Sequence, residues 1–181
     1  MIERKAYSVG AGSLVIWLCL QAFFSVLALV DGAEQRRAWK AAAAWTAEER
    51  DAAGAPDPAP LLALSNSCNG SCVAVASLSF LGLFFLGLSA AGKNPSAGFS
   101  RAAYRLSEGA VIASAALGLG FAGMTLAYRI SLGGRTMLKG PVRDFSLVIE
   151  PTIVVATVGL AAVGAWSIAA FIAAARRRLA T

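Results

Sequence analysis

Histidine is absent from all 181 residues, which removes the commonest general base and the commonest metal ligand together. Charge is scarce as well: Asp, Glu, Lys and Arg make up 14% of the chain, against about 25% in a typical soluble domain. The few charges are segregated. None falls between Ala6 and Val30, between Pro58 and Gly92, between Gly109 and Tyr128, or between Pro151 and Ala175. A soluble helical protein interleaves its charges at a period near 3.6 residues, giving each helix a wet face. These stretches do not, which argues against a soluble fold. Ionisable side chains in the middle of a span mark pumps and proton relays; here there are none. No catalytic, cofactor-binding or metal-ligating set emerges, and the expectation is a protein that is not an enzyme and carries no cofactor.

Cysteine is nearly lacking too, with three in the chain. Cys19 sits inside the first apolar run and reads as a small buried hydrophobe. Cys68-Asn69-Gly70-Ser71-Cys72 places two cysteines just before the second run. In an oxidising lumen Cys68 and Cys72 are candidates for a small disulfide that staples a loop at the membrane surface. A catalytic redox pair is the weaker reading, because it usually has the Cys-x-x-Cys spacing, and metal binding lacks two further ligands. Asn69-Gly70-Ser71 is also a glycosylation acceptor pattern, which makes Asn69 a candidate site.

What the chain does have is apolar length. Hydrophobic residues make up 57% of it, and four stretches reach the roughly 20 residues that cross a 30 Å hydrocarbon core. The expected fold is all-α: an integral membrane four-helix bundle forming a single domain over 1–181, with spans near 9–30, 73–92, 109–128 and 151–175. The first run exceeds the 7–15 residues of a signal-peptide core, so it reads as an uncleaved anchor; cleavage would leave three spans. Gln21 is the one strongly polar side chain deep in that span, placed to hydrogen-bond a neighbouring helix. Glu108, Arg129 and Glu150 fall at span ends, where snorkelling or headgroup contact accounts for them.

The loops take the remaining polarity. Loop 31–72 reads as a short interfacial helix followed by a stiff proline-rich segment, Ala55 to Pro60. Thr46-Ala47-Glu48-Glu49 has the spacing of a capping box, and Trp39 and Trp45 read as interfacial anchors in preference to partner contacts. Loop 93–108 turns at Asn94-Pro95. Loop 129–150 holds Gly133-Gly134 and Gly140-Pro141, followed by an extended or strand-like run, Val142 to Ile149. Pro151 then falls in the first turn of the last span, the tolerated position, and Arg176-Arg177-Arg178 closes that span.

An even number of spans puts both termini and loop 93–108 on one side, and loops 31–72 and 129–150 on the other. Lys and Arg divide equally between the sides, but the first is much shorter and has a net charge of +6 against zero. Both termini inside is therefore the preferred orientation, in a plasma membrane or endomembrane, with an organellar inner membrane as the alternative. The basic residues cluster at span ends, where they meet anionic headgroups. No basic stripe carries interleaved aromatics, so nucleic acid is not an expected partner.

Small residues recur every fourth position in two spans: Ala110, Ser114, Gly118 and Ala122 in the third, and Ala161, Ala165, Ala169 and Ala173 in the fourth. Such rows let helix backbones approach closely. The expectation is that spans three and four meet through them, with a partner or a second copy as the sharper alternative. The layout resembles the claudin and MARVEL-type tetraspan families, although the claudin Gly-Leu-Trp context is missing around Trp39 and Trp45. Glu3-Arg4-Lys5, Ala33-Glu34-Gln35-Arg36-Arg37 and Val148-Ile149-Glu150-Pro151 are similar to plant four-span proteins of the modifying-wall-lignin type. That family's cysteine cluster after the second span is replaced by Ala90-Ala91-Gly92-Lys93, and no residue role carries over. The functional expectation is a scaffold, assembly or modulatory factor that meets the lipid bilayer and other membrane proteins or copies of itself. An accessory subunit of a larger, energy-converting complex and a small channel or carrier are the alternatives.

Overall fold

The structure, a computed structural model, describes residues 2–53, 55, 57–91, 101–132 and 141–179. They form five helices: α1 (Ile2–Ala43), α2 (Ala47–Ala52), α3 (Pro58–Ala91), α4 (Arg101–Leu132) and α5 (Pro141–Leu179). All but α2 are long and apolar enough to cross a membrane, with mean hydropathy of 1.8–2.3 over the most apolar window of each. The protein is a multi-pass membrane protein built as a helical bundle.

The helices outrun the bilayer. α1 has 42 residues, about 63 Å at 1.5 Å per residue, twice the hydrocarbon thickness. It does not stop at Val30 because the alanine-rich segment beyond has high helix propensity, with Glu34 and Arg37 paired at 2.6 Å across one turn. The short helix in the first loop is α2, and its capping box is present: Glu49 N–H donates to Thr46 Oγ1 at 3.2 Å, and Thr46 N–H donates to Glu49 Oε2 at 2.7 Å.

Three local expectations change. The proline-rich segment starts α3, where a stiff extended connector was expected: Pro58 and Pro60 lie in the first turn, where no intrahelical bond needs their N–H, and Asp57 Oδ1 accepts from Ala59 N–H at 3.1 Å. Val142 to Ile149 is helical, part of α5, in place of a strand. Pro151 consequently lies inside α5, where the first turn of a helix was expected. Asn94-Pro95 and Gly133-Gly134 lie outside the described residues.

α1 packs on α3 and α5, and α4 packs on the same two helices, so the four form a ring with α1 and α4 on one diagonal. Each turns inward a seam with alternating steps of three and four residues. In α3 the seam is Leu61, Ser65, Cys68, Cys72, Val75, Ser79, Gly82, Leu86 and Ser89, all buried. This 3.5-residue period is that of left-handed, coiled-coil-like packing. Its chemistry differs from that of a soluble bundle: many small and polar residues share the interior with the apolar core, while large apolar side chains such as Ile16, Phe23, Phe80, Phe84 and Val155 point outward.

The core runs along the axis in three layers. At the end bearing the termini, Leu14, Trp17, Leu18, Leu86, Val111 and Phe171 cluster. Ala28, Cys68, Cys72 and Ile153 come next. Trp39, Leu61 and Leu132 close the α2 end. Trp39 is thus a core residue, 1% exposed, and not the interfacial anchor expected of it.

Candidate functional site

Three helices bring a polar cluster together below the α2 end. Asp31 and Gln35 lie one turn apart on α1, and Gln35 Nε2 donates to Asp31 Oδ2 at 3.1 Å. From α4, across the diagonal, Arg129 reaches the same carboxylate: Nη1 lies 3.4 Å from Asp31 Oδ2, and Nη2 donates to the Ala28 carbonyl at 3.1 Å. Both charged side chains are almost wholly buried, at 4% and 2% exposure. From α3, Asn69 Nδ2 donates to the Gly32 carbonyl at 3.5 Å. Gly32 makes this approach possible, since a β-carbon there would overlap the Asn69 side chain.

This cluster corrects the expectation for Arg129. It does not snorkel to headgroups; it turns into the bundle and clamps the α1 backbone and Asp31 together. A buried ion pair is marginal in net stability, because desolvation opposes the Coulomb attraction. Its value is geometric, fixing the rotation of α1 relative to α4. Glu108, the other charge assigned to a span end, is buried as well, 6% exposed and two turns inside α4. The side chain of Glu150 lies outside the described residues.

The cysteine expectations are overturned. Cys68 and Cys72 form no disulfide; they stand one turn apart on α3, inside the bundle and not in a loop. Their side chains project side by side from one helix face and converge on α4, the Sγ atoms 4.0 Å from the Thr125 carbonyl and the Thr125 hydroxyl respectively. Asn69, the glycosylation candidate, lies on the same helix at 6% exposure, a placement with no room for a glycan. Cys19, expected to be buried, is exposed on the outer face of α1.

Deeper in the bundle lies a cavity of about 30 Å³ with walls from all four long helices, among them Trp17, Gln21, Ser25, Cys72, Thr125, Thr157 and Ala161. Trp17 crosses from α1 to α5, where its Nε1 donates to the Leu160 carbonyl at 2.7 Å. Its indole lies against Gly164, where any side chain would overlap the ring. Gln21 lies along α4 at Gly118, where a β-carbon would be 3.3 Å from Nε2. The interhelical hydrogen bond expected of Gln21 is not made: neither Nε2 nor Oε1 has a partner among the described residues.

The two small-residue rows meet different fates. In α4, Ser114 and Gly118 are buried and Ala110 and Ala122 half-buried, and the row serves α1 and α3: Gly118 faces Gln21 and Leu78, and Ser114 lies beside Gly82. In α5, only Ala161 is half-buried, while Ala165, Ala169 and Ala173 are exposed. A four-residue step drifts half a residue per turn away from the 3.5-residue seam, so the row leaves the interface within two turns. The inward residues of α5 are Ile153, Thr157, Leu160, Gly164, Ser167, Phe171 and Ala174. The expected meeting of α4 and α5 through their small-residue rows does not occur.

The chain matches no protein-family model, no curated protein and no solved structure.

Proposed function

We propose that this multi-pass membrane protein is a non-enzymatic scaffold or assembly factor that associates with other membrane proteins, or with copies of itself, through the outward face of α5. The observation that carries this reading is the row Ala165, Ala169 and Ala173, which the bundle leaves uncovered. α5 is also the least enclosed long helix, with 17% of its most apolar window buried against 28–39% in the other three. Small residues gain little against lipid, whereas against another helix they permit close backbone approach. The interior supports the same reading. Its polar groups, Asp31, Gln35, Asn69 and Arg129, tie α1 to α3 and α4. An accessory subunit of a larger complex would use the same surface. In this reading both termini face the cytoplasm, the short side with the net positive charge.

Cysteine placed at Ala169 in a Cys19→Ser background tests the proposal. Crosslinking in native membranes is expected to yield a discrete adduct with a second copy or a co-purifying protein, and Ala165→Leu is expected to weaken it. A lone monomer in mild detergent, without adduct or partner, overturns the reading.

A further inference from the structure

We infer that the central cavity is a hydration site, in which one or two water molecules bridge the Gln21 amide to the hydroxyls of Thr125 and Thr157. The starting point is Gln21 itself. Its side chain is 5% exposed and borders the cavity, with both amide atoms lacking a protein partner among the described residues. A buried amide in that state carries its full desolvation penalty, and a lipid-embedded bundle offers no bulk solvent to relieve it.

Volume decides what the occupant is. About 10–15 Å³ of such space admits a water, whereas an apolar cavity that binds benzene measures about 150 Å³. At about 30 Å³ this partly open space has room for one or two waters.

The polar lining then sets the bonding. Thr125 Oγ1 already donates to the Phe121 carbonyl at 3.0 Å, and Thr157 Oγ1 to the Ile153 carbonyl at 2.7 Å. Each hydroxyl has therefore spent its proton. Thr157 Oγ1 retains its acceptor capacity, and Thr125 Oγ1, approached by the Cys72 thiol at 4.0 Å, keeps one further lone pair. Water supplies what is missing: it donates to the threonine oxygens and to Gln21 Oε1, and it accepts from Gln21 Nε2. A buried water ordinarily makes two to four such bonds, and this lining provides that number. The cavity borders the Asp31–Arg129 cluster through Ala28, which lines it and whose carbonyl accepts from Arg129. Its polar lining of Gln21, Thr125 and Thr157 takes no part in that ion pair, and the inference does not depend on what the outer face of α5 binds.

The chain has two glutamines, Gln21 and Gln35, so side-chain ¹⁵N labelling of glutamine gives two resolvable amide groups. In the full chain in lipid nanodiscs, magnetisation transfer from water is expected to produce a cross-peak at the Gln21 amide protons. Its sign is expected to be opposite in laboratory-frame and rotating-frame experiments, the signature of a long-lived neighbouring water. No cross-peak, or one with the same sign in both as simple hydrogen exchange gives, overturns the inference. Ala161→Val, which adds two methyl groups to the cavity wall, is expected to abolish the cross-peak. Its persistence in a folded Ala161→Val protein also overturns the inference, and if that variant does not fold, the wild-type measurement decides alone.

Discussion

Two regions of the bundle, on either side of the central cavity, solve the same packing problem with opposite chemistry. At the end bearing the termini, Trp17 from α1 lies against Gly164 of α5, surrounded by Leu14, Leu18 and Phe171. Toward the α2 end, Asp31, Gln35, Asn69 and Arg129 converge through hydrogen bonds and an ion pair. In a membrane, lipid tails are as apolar as leucine, so burying leucine does not by itself hold helices together. Shape complementarity serves in one region and polar specificity in the other. The apolar region fixes how close α1 and α5 approach; the polar region fixes how α1 and α4 are rotated.

The polar region is expected to be the more fragile. Arg129→Met leaves Asp31 buried without its cation, and breaking a buried pair on one side is destabilising by about 3–5 kcal/mol. The pair Asp31→Leu with Arg129→Met removes both charges and is expected to recover most of that loss. Detergent-driven unfolding followed by circular dichroism reads both. A double variant as unstable as the single one would mean that the charges are not acting as a pair.

The apolar region is sharpened by two adjacent positions. Gly164 faces Trp17, a ring only 1% exposed and therefore poorly able to move aside. Gly164→Ala is expected to be destabilising by about 1–3 kcal/mol, the usual range for overpacking. Ala165, one residue on, points outward, so Ala165→Leu is expected to change stability by no more than about 0.5 kcal/mol. Ala165→Leu instead reports on association, through loss of the crosslinked adduct. Equal stability losses at 164 and 165 would contradict the assigned rotation of α5.

Much of the fold was legible because length and the absence of charge are local properties. The four spans, and the capping box at Thr46 and Glu49, needed no tertiary information. The inward seams were not legible, since a lipid-facing surface is apolar and the hydrophobic period that marks a soluble helix disappears. The inward residues of α3 include Ser65, Cys68, Ser79 and Gly82, which hydropathy alone scores as the less membrane-like face. Choosing a four-residue step, where packing follows 3.5, placed Ala165, Ala169 and Ala173 inside when they lie outside. The polar cluster failed for another reason. Asp31 and Arg129 are 98 residues apart, each just beyond an apolar run, where a charge ordinarily meets headgroups. The helices' excess length hides this: α1 continues to Ala43 and α3 begins at Pro58, so a residue at the edge of an apolar run is still enclosed by its neighbours.

The smallest effect expected lies outside the bundle, at α2. There the carboxyl of Glu49 is held below the usual carboxylate range, first by the backbone N–H of Thr46 and then by the Thr46 hydroxyl. A carboxyl whose folded pKa is depressed contributes stability above its unfolded pKa and loses it as pH falls through the folded value. The α2 turn is therefore intact at neutral pH and frays only in acid, below the pH at which an unbonded glutamate takes up its proton. The expected readout is faster amide hydrogen exchange at Glu49 and Arg50 on acidification, once the intrinsic pH dependence of exchange is removed, with α1 and α3 unaffected. Thr46→Ala removes the hydroxyl acceptor, so exchange at the Glu49 amide is expected to be fast already at neutral pH and to show little further change in acid. Were acid to loosen the Trp39, Leu61 and Leu132 layer together with α2, the capping box would be coupled to the bundle and not the independent turn that its full exposure implies.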